Sequence, residues 1–273
     1  MTVFFLSDYG TRDEFVGVVH AVLDAAAPGL TIIDLTHQVP AFDVRSGSHT
    51  LVRVMPHLGP GVVLAVVDPG VGSARRGLCI EVTLPGGDPR FFVGPDNGLL
   101  IAAAESAGEA PISRAFGLRR DGDRERGTFD GRDLFAPVAA ALCRGVPPED
   151  LGDPVDPESL VRITGGVVEE GRLRDGRSCM RAEVMWVDHF GNLQLAATLA
   201  DAQAAGVPST GTVDLTVLDV AIPLRRVGTF ADLAQGELGL LIDSNGHVAV
   251  VAGEASAARQ LDVVAGALVV LAW

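Results

Sequence analysis

Carboxylates and one imidazole follow the apolar runs of the N-terminal half at the points where these runs end. Asp8 follows the first run, His37 the second and Asp68 the third. In an open α/β sheet the loops at the carboxyl ends of the strands converge, and ligands bind there. We therefore expect Asp8, His37 and Asp68 to share one crevice. Each aspartate alone has a simpler explanation as the cap of the next helix, but their recurrence favours a functional site.

The glycine-rich loop VDPGVGSARRG, residues 67–77, contains a carboxylate and a guanidinium seven residues apart. It is not a dinucleotide-binding loop, because Arg75 stands where that motif requires its third glycine. Asp68 and Arg75 can instead form a charge-assisted pair across the turn, where glycines allow a substrate to approach the backbone. A purely structural salt bridge is the alternative.

A second glycine-containing motif, TFDGRDLFAP at residues 128–137, comes just before a predicted helix. Asp133 is a suitable N-cap for that helix, which explains this carboxylate without a function. Asp130 has no such explanation and is a candidate site residue.

Asn192 is the most informative of the three asparagines. Asn97 and Asn245 each precede a glycine, and Asn-Gly is a common turn pair. Asn192 follows a glycine and precedes a strand-like run, and its amide can donate and accept at once, as an adenine edge requires. Phe190 offers a stacking face nearby, although a position in the core is an equally good interpretation.

The composition excludes several classes of chemistry. The chain has 273 residues and a formal net charge of −14, and all 21 basic residues are arginine. The lack of lysine excludes Schiff-base catalysis and a P-loop. An acidic chain without a basic stripe is unsuited to nucleic acid or to an anionic membrane. The three cysteines are far apart and outside any CxxC pair, so we expect neither a zinc site nor a disulfide framework.

Alternating strand and helix patterns from residue 1 to about 150 predict an α/β domain with a mostly parallel central sheet and helices on both faces. The predicted strands are 3–6, 31–35, 62–67, 78–82 and 90–93. The predicted helices begin at a capping box formed by Thr11 and Glu14, at Val44, at Asn97 and at Asp133. The charged stretch 119–127 predicts an exposed, mobile loop, with a lid as the alternative.

The second part of the chain has a different pattern. The proline-rich, acidic segment 146–159 predicts an interdomain linker, which gives domains of 1–150 and 164–273 with a linker at 151–163. Short strand-like runs separated by Gly, Asp and Asn turns then predict a small β-barrel. These runs are 180–187, 211–218, 238–242, 247–251 and 267–271.

Taken together, the motifs resemble one family along almost the whole chain: the adenosine-forming S-adenosyl-L-methionine hydrolases, which share a superfamily with fluorinase and chlorinase. The stretches that carry the resemblance are, in order, LSDYGTRDEFVG, DLTHQVP, VDPGVGSARRG, VGPDNGLL, TFDGRDLFAPVAA, VDHFGN and DSNGHVAV. Several ordered motifs are far more specific than any single one.

The resemblance implies a homotrimer with active sites between the N-terminal domain of one subunit and the C-terminal domain of its neighbour. Asp8 would bind the ribose hydroxyls, and Asp68 and Arg75 would position the attacking water. In the C-terminal domain, the implied substrate contacts are Asp188 and Ser244 for the methionine amino and carboxylate groups, Asn192 for adenine, and Phe190 and Phe230 beside the ring.

One position departs from the family pattern. The hydrolases share an Asp, Arg and His set, with the histidine in a motif FHGRD, whereas this chain has Asp130 at that place. Asp130 can still accept a hydrogen bond from water, and an Arg75 between two carboxylates would help to keep both ionised. The halogenases surround a halide with small hydroxyl-bearing and aromatic groups. Here Asp68 would repel a halide, so water is the expected nucleophile.

The sequence thus predicts hydrolysis of S-adenosyl-L-methionine to adenosine and L-methionine, with no cofactor and no metal. A binding protein that has lost turnover through Asp130 is one alternative. A metal-dependent phosphohydrolase with oxygen ligands from Asp8, Asp68, Asp96 and Asp130 is another. No apolar run is long enough to span a bilayer, so we expect a cytoplasmic protein without a membrane or nucleic-acid partner.

Overall fold

The structure is a computed structural model that describes residues 1–108, 110–120, 127–218 and 220–273. The chain divides into two compact units, Met1–Ile163 and Thr164–Trp273. Among the residues described, no helix is both long and apolar enough to cross a membrane.

A seven-stranded sheet forms the centre of the first unit, in the order β2-β1-β3-β5-β4-β6-β7. The pairs from β2 to β5 are parallel, and β4, β6 and β7 are added antiparallel at one side. The predicted strands are confirmed, and β3 is buried along its whole length, as the continuous apolar run indicates. The strands are β1 (Thr2–Ser7), β2 (Thr31–Thr36), β3 (Gly61–Val66), β4 (Gly77–Thr83), β5 (Pro89–Pro95), β6 (Arg114–Leu118) and β7 (Gly152–Pro154).

Helices cover both faces of this sheet, so each face has its own apolar core. On one face, Val19 of α1 packs in a cluster with Ala139 of α4. On the other, Leu51 of α2 packs in a cluster with Ala103 of α3. The helices are α1 (Phe15–Ala26), α2 (Val44–Val54), α3 (Ile101–Ala107), α4 (Ala136–Cys143) and α5 (Pro148–Leu151).

The predicted start of α1 is wrong. Glu14 occupies the cap position with helical φ and ψ of −74° and −7°, and its side chain makes no capping hydrogen bond. A capping box requires an extended N-cap residue whose side chain turns back onto the first turn. The chain is already helical at Glu14, so this geometry does not form.

The N-cap predicted at Asp133 is also wrong. Residues Gly131–Phe135 form a π-helical turn that runs directly into α4, and Asp130 holds the cap position. Asp133 therefore lies inside the first turn, where its carboxylate accepts hydrogen bonds from Arg132 at 2.7 and 2.8 Å. Single π turns inside helices are frequent at functional sites.

The proline-rich segment after α4 is ordered within the first unit. Residues 148–151 form α5, with a proline in its first turn, where no backbone N–H is needed. β7 then pairs antiparallel with β6 at the edge of the sheet, where a proline is tolerated.

The second unit is a closed seven-stranded β-barrel, because β9 and β10 pair and join the two ends of the strand order; β8 is attached outside it. The barrel predicted from the sequence is confirmed. Its strands are β8 (Val168–Arg172), β9 (Ser178–Val187), β10 (Leu193–Thr198), β11 (Thr212–Val217), β12 (Val220–Arg226), β13 (Leu238–Ile242), β14 (His247–Ala252) and β15 (Leu268–Ala272). Two short helices, α6 (Leu199–Ala205) and α7 (Ala257–Leu261), accompany them.

Candidate active site

Asp8, Asp68 and Asp130 line one hollow of about 260 Å³ in the first unit, at the carboxyl ends of β1 and β3. Tyr9 and Phe129 form its aromatic wall. The topology explains this convergence, since β1 and β3 are adjacent and parallel and their following loops leave the same edge of the sheet.

Arg75 binds Asp68 through two of its nitrogens, Nε at 3.1 Å from Oδ1 and Nη2 against Oδ2. The turn between them explains this contact. The Ser73 hydroxyl donates to the Gly70 carbonyl at 2.7 Å and accepts from the Arg75 backbone N–H at 3.1 Å, which folds the loop back on itself. The pairing predicted from the sequence is confirmed, and its part in a reaction stays a prediction.

Asp130 is almost fully buried, with 1% of its surface exposed, and two arginines bind it. Arg75 Nη2 donates to Oδ2 at 2.7 Å. Arg120 forms a fork on both oxygens, at 2.8 Å to Oδ1 and 2.6 Å to Oδ2. We call these four linked side chains, Asp68, Arg75, Asp130 and Arg120, the ion-pair cluster.

The two carboxylates of the ion-pair cluster have opposite pKa shifts. Burial raises the pKa of Asp68, and the nearby Asp130 adds to this, whereas Arg75 opposes it. Burial alone would also raise the pKa of Asp130, but hydrogen bonds from Arg120 and Arg75 outweigh it, so that this pKa lies below its ordinary value. Arg75 was expected to keep both carboxylates ionised. It lowers the pKa of both, but only at Asp130 does the pKa end below its ordinary value.

Tyr9 stands beside these carboxylates as a neutral hydroxyl. Burial, followed by the negative charges of Asp8, Asp68 and Asp130, raises the pKa of its phenol well above the ordinary value. Its ring packs edge-on against Phe129, with centroids 5.6 Å apart. Tyr9 was not predicted as a site residue, although its position directly after Asp8 was visible in the sequence.

Asp8 accepts a hydrogen bond from the Phe42 backbone N–H at 2.9 Å. Phe42 has a φ of 68°, a left-handed conformation that is unfavourable for a bulky residue, and its side chain is 73% exposed beside the hollow. Such strain concentrates at functional sites. Asp8 Oδ2 is thus used to shape the loop, and Oδ1 accepts no hydrogen bond from the residues that the structure describes.

His37 does not line the hollow, so the prediction that it shares the crevice is wrong. Its side chain is buried behind β1, where Nδ1 lies 2.8 Å from the Ser7 hydroxyl and Nε2 lies 3.0 Å from Asp34 Oδ1. His20 Nε2 approaches the same Asp34 oxygen at 2.9 Å. These three side chains are close enough to hold a metal ion, but the interactions within the trio already account for them.

Asp96 has both of its carboxylate oxygens occupied by hydrogen-bond donors, whereas a metal site would require free oxygens. Its Oδ2 accepts from Arg76 Nε at 2.9 Å and its Oδ1 accepts from the Val161 backbone N–H at 2.9 Å. Of the four carboxylates in the metal alternative, Asp68, Asp96 and Asp130 are each bound by arginine. A guanidinium beside a cation is unfavourable, which weighs against that alternative.

The second unit has a larger hollow, of about 790 Å³, lined by Asp188, Phe190, Asn192 and Phe230 among others. Phe190 and Phe230 are 74% and 52% exposed in the chain, so neither is a core residue. The residue after Phe190 must be a glycine, because Gly191 has a φ of 86° and a Cβ there would lie 1.9 Å from the Ser256 hydroxyl.

Asp188 organises this loop through its own carboxylate. It accepts from the Phe190 N–H at 2.9 Å, from the Asn192 N–H at 2.9 Å and from Asn192 Nδ2 at 2.8 Å. One amide hydrogen and the carbonyl of Asn192 are left, which is what an adenine edge needs. Ser244 is not among the residues that line this hollow; it lies in the exposed turn between β13 and β14.

Family models cover both units. Models described as the N-terminal and C-terminal domains of SAM hydroxide adenosyltransferase match residues 3–152 and 182–270. The chain belongs to the SAM hydroxide adenosyltransferase family. The resemblance drawn from the sequence motifs is confirmed.

Curated relatives cover almost the whole chain. An (R)-S-adenosyl-L-methionine hydrolase of Salinispora tropica is 43% identical over 96% of this chain and 94% of its own length. A hydrolase of the same name from Thermus thermophilus is 37% identical over 97% and 96%. A fluorinase of an Actinoplanes species is more distant, at 26% identity over 96% of this chain and 94% of its own length.

Solved structures share the fold. A conserved protein of Thermotoga maritima superposes with a TM-score of 0.84 at 30% identity, and a conserved protein of Thermus thermophilus with a TM-score of 0.74 at 36% identity. Each pair covers 99% of both chains.

Arg120, like Tyr9, is a residue of the site that was not predicted from the sequence. It lies in the charged stretch 119–127, which was predicted as a solvated loop or a lid, and residues 121–126 of that stretch lie outside the described residues. Its partner Asp130 is ten residues away. The unexplained carboxylate in TFDGRDLFAP was the one available signal, since a buried carboxylate requires a cationic partner.

Proposed function

We propose that this protein hydrolyses S-adenosyl-L-methionine to adenosine and L-methionine without a metal or a cofactor. The observation that carries the proposal is the Asp68–Arg75 pair, because Asp68 lines the same hollow as Asp8. Membership of the SAM hydroxide adenosyltransferase family and the names of the relatives support it.

The reaction needs little beyond positioning. The water oxygen forms a bond to ribose C5′ while the C5′–S bond breaks, and its electron pair leaves on sulfur to give neutral methionine. One water proton is released to solvent. A sulfonium is a good leaving group, so the main task is to hold water in line at about 3 Å from the carbon, which can supply several kcal/mol.

The groups in the first unit suit that task. Ionised Asp68 accepts a hydrogen bond from the water, and Arg75 orients Asp68 through the two-nitrogen contact. Asp130 has its oxygens occupied by guanidinium groups, so we assign it the role of holding Arg75 rather than of touching the water. Asp8 is assigned to the ribose hydroxyls.

The second unit supplies groups for the remainder of the substrate. The remaining amide hydrogen and carbonyl of Asn192 match the adenine edge, and the exposed rings of Phe190 and Phe230 offer stacking faces. Asp188 is assigned to the methionine ammonium. Ser244 keeps its assignment to the methionine carboxylate as a proposal from the motif alone.

We further propose a homotrimer in which the first unit of one subunit completes the hollow of the second unit of its neighbour. Exposed aromatic side chains in a large open hollow support this, because monomeric proteins rarely leave such surfaces to solvent.

The test is incubation of pure protein with S-adenosyl-L-methionine in water enriched in oxygen-18. The expected result is adenosine that carries the label at its 5′ oxygen, equal amounts of methionine, and an unchanged rate in chelator. Absence of adenosine across mild acid to about pH 9 contradicts the proposal, and loss of activity in chelator restores the metal alternative.

A binding role without turnover is the second candidate, because Asp130 occupies the histidine position and is tied to two arginines. Calorimetry separates the two. Tight binding with S-adenosyl-L-methionine recovered intact favours the binding protein, and Asp130→His would then be expected to restore hydrolysis.

A further inference from the structure

Arg120 binds Asp130, a carboxylate that lines the first unit's hollow, through two nitrogens and two oxygens. Both terminal nitrogens of Arg120 donate to the carboxylate, at 2.8 and 2.6 Å. The Arg120 side chain is 30% exposed and that of Asp130 only 1%. A fork of this kind fixes the carboxylate in both position and plane.

The charge count shows why this contact matters. Asp68, Arg75 and Asp130 alone would place one guanidinium between two carboxylates, with a net charge of −1. Arg75 Nη2 already contacts both Asp68 and Asp130. Arg120 adds the second positive charge, so the ion-pair cluster is neutral and Arg75 is not drawn away from Asp68.

The neighbouring arginine has a different role. Arg119 donates to Asp153 at 2.8 Å and to the Gly152 carbonyl at 3.0 Å, which ties the end of β6 to β7. The two adjacent side chains thus bind different targets, and only Arg120 reaches the hollow's carboxylate.

We propose that Arg120 is a positioning residue for the attacking water: it acts through Asp130 to keep Arg75 seated on Asp68. This inference rests on the proposed hydrolysis. Among the residues that the structure describes, the other charged and titratable groups around the cluster are Asp8, Tyr9 and Asp133, and none of these three is a second cation for Asp130.

The test compares Arg120→Gln, Asp130→Asn and the double variant with wild type, each checked for folding by circular dichroism. Arg120→Gln is expected to lower kcat on the order of 10²-fold with little change in KM, because a small displacement of the nucleophile is costly. The double variant is expected to be no slower than Asp130→Asn alone, since residues that act as a unit are not additive.

The pH profile of kcat distinguishes the proposed role of Arg120 from a merely structural one, which would leave the profile unchanged. Without Arg120, the negative charge of Asp130 acts on Asp68 more strongly, so the acid limb of kcat is expected to shift to higher pH. Arg120→Lys keeps the charge but loses the two-nitrogen fork. Its acid limb is expected at the wild-type pH, while its kcat recovers only in part. The control is Arg114→Gln, which removes an arginine of β6 that is paired with Glu81 on the neighbouring strand β4.

The outcomes separate this inference from the proposed function. A wild-type protein that produces no adenosine contradicts the hydrolysis itself. An active wild type together with an Arg120→Gln variant of unchanged kcat and unchanged acid limb contradicts the role of Arg120 alone. If Arg120→Gln does not fold, Arg120→Lys still tests the role, because it keeps the charge and loses the fork, and an Arg120→Lys variant with wild-type kcat would contradict the proposal. A double variant that is slower than Asp130→Asn by the full factor would show that Arg120 acts independently of Asp130.

Discussion

The Tyr9 hydroxyl lies directly over the Cα of Gly131, where an added Cβ would come within 2.1 Å of its oxygen. This contact joins the loop after β1 to the π-helical turn that carries Asp130 at its start. Gly131 has no positive φ to explain its identity. The glycine is therefore required by the close approach of the phenol.

The first prediction tests that contact by Gly131→Ala. Overpacking of this kind costs about 1–3 kcal/mol of unfolding free energy, and it should also lower kcat because the turn and Asp130 are displaced. Urea unfolding and steady-state kinetics measure the two effects. Tyr9→Phe in the same chain removes the colliding oxygen and should recover part of the stability.

Gly17→Ala is the matched control for Gly131→Ala. Gly17 lies inside α1, and a Cβ there would meet no atom within 4 Å. This change should stabilise the protein by roughly 0.5–1 kcal/mol, because alanine is the better helix former. A Gly131→Ala variant as stable and active as Gly17→Ala would show that the turn is free to move.

The second prediction concerns the acid side of the activity profile. Asp68 must be ionised to accept a hydrogen bond from water, and burial raises its pKa above the ordinary aspartate value. Activity should therefore fall at a higher pH than an exposed aspartate would give, and Asp68→Asn should lose most of kcat at every pH. A rate that is flat into strong acid, or an active Asp68→Asn, would contradict this role.

The third prediction concerns how the contribution of Asp130 to the stability of the fold changes with pH. Its pKa in the folded protein lies below the ordinary value of 3.8, so its ionised form stabilises the fold above that pH and the contribution is lost as the pH falls through the folded pKa. Asp130→Asn should therefore be less stable than wild type at neutral pH, and the difference should shrink from about pH 5 to about pH 2.

Urea midpoints across this range measure the effect, with the exposed Asp13→Asn as the control for the same change of residue type at the surface. The contribution of Asp68 to stability changes with pH in the opposite direction, because its raised pKa makes ionisation costly in the folded state and this cost disappears in acid. A difference for Asp130→Asn that grows towards acid would contradict the assigned direction.

The fourth prediction concerns the aromatic faces of the second unit. Phe190→Ala and Phe230→Ala should each raise KM by about 10-fold or more, since stacking on a base contributes about 1–3 kcal/mol. Their unfolding free energies should change little, because both rings are exposed in the chain. Val264→Ala, a 70% exposed apolar residue outside that hollow, should change neither quantity.

Much of the fold follows from periodicity in the sequence. The continuous apolar run of β3 reflects burial on both faces of the sheet, and the alternating runs of the barrel strands reflect burial on one face. Both patterns can be recognised within a few consecutive residues. The start of α1 and the start of the π-helical turn before α4 were not predictable in this way. Whether a carboxylate caps a helix depends on the backbone conformation before it, and that conformation is set by tertiary packing.

The candidate site was predictable only where its partners share a loop. Asp68 and Arg75 are seven residues apart on one glycine-rich turn, so their pairing was accessible from spacing. His37 was misplaced because the end of a strand does not determine the direction in which a long side chain turns. Arg120 was missed because nine residues lie between it and Asp130, and nothing local in that charged segment indicates that its first part turns back onto a buried carboxylate.

The last prediction tests the shared site by mixing two inactive variants, Asp68→Asn and Asn192→Ala. If each site combines the first unit of one subunit with the second unit of its neighbour, then some sites in mixed trimers carry neither substitution. Random mixing of equal amounts should restore about a quarter of wild-type activity. Mixing Asp68→Asn with Asp130→Asn is the control, because both changes fall in the first unit and every site stays impaired. Activity no higher than the sum of the separate variants, or a monomer by light scattering, would place the whole site within one chain.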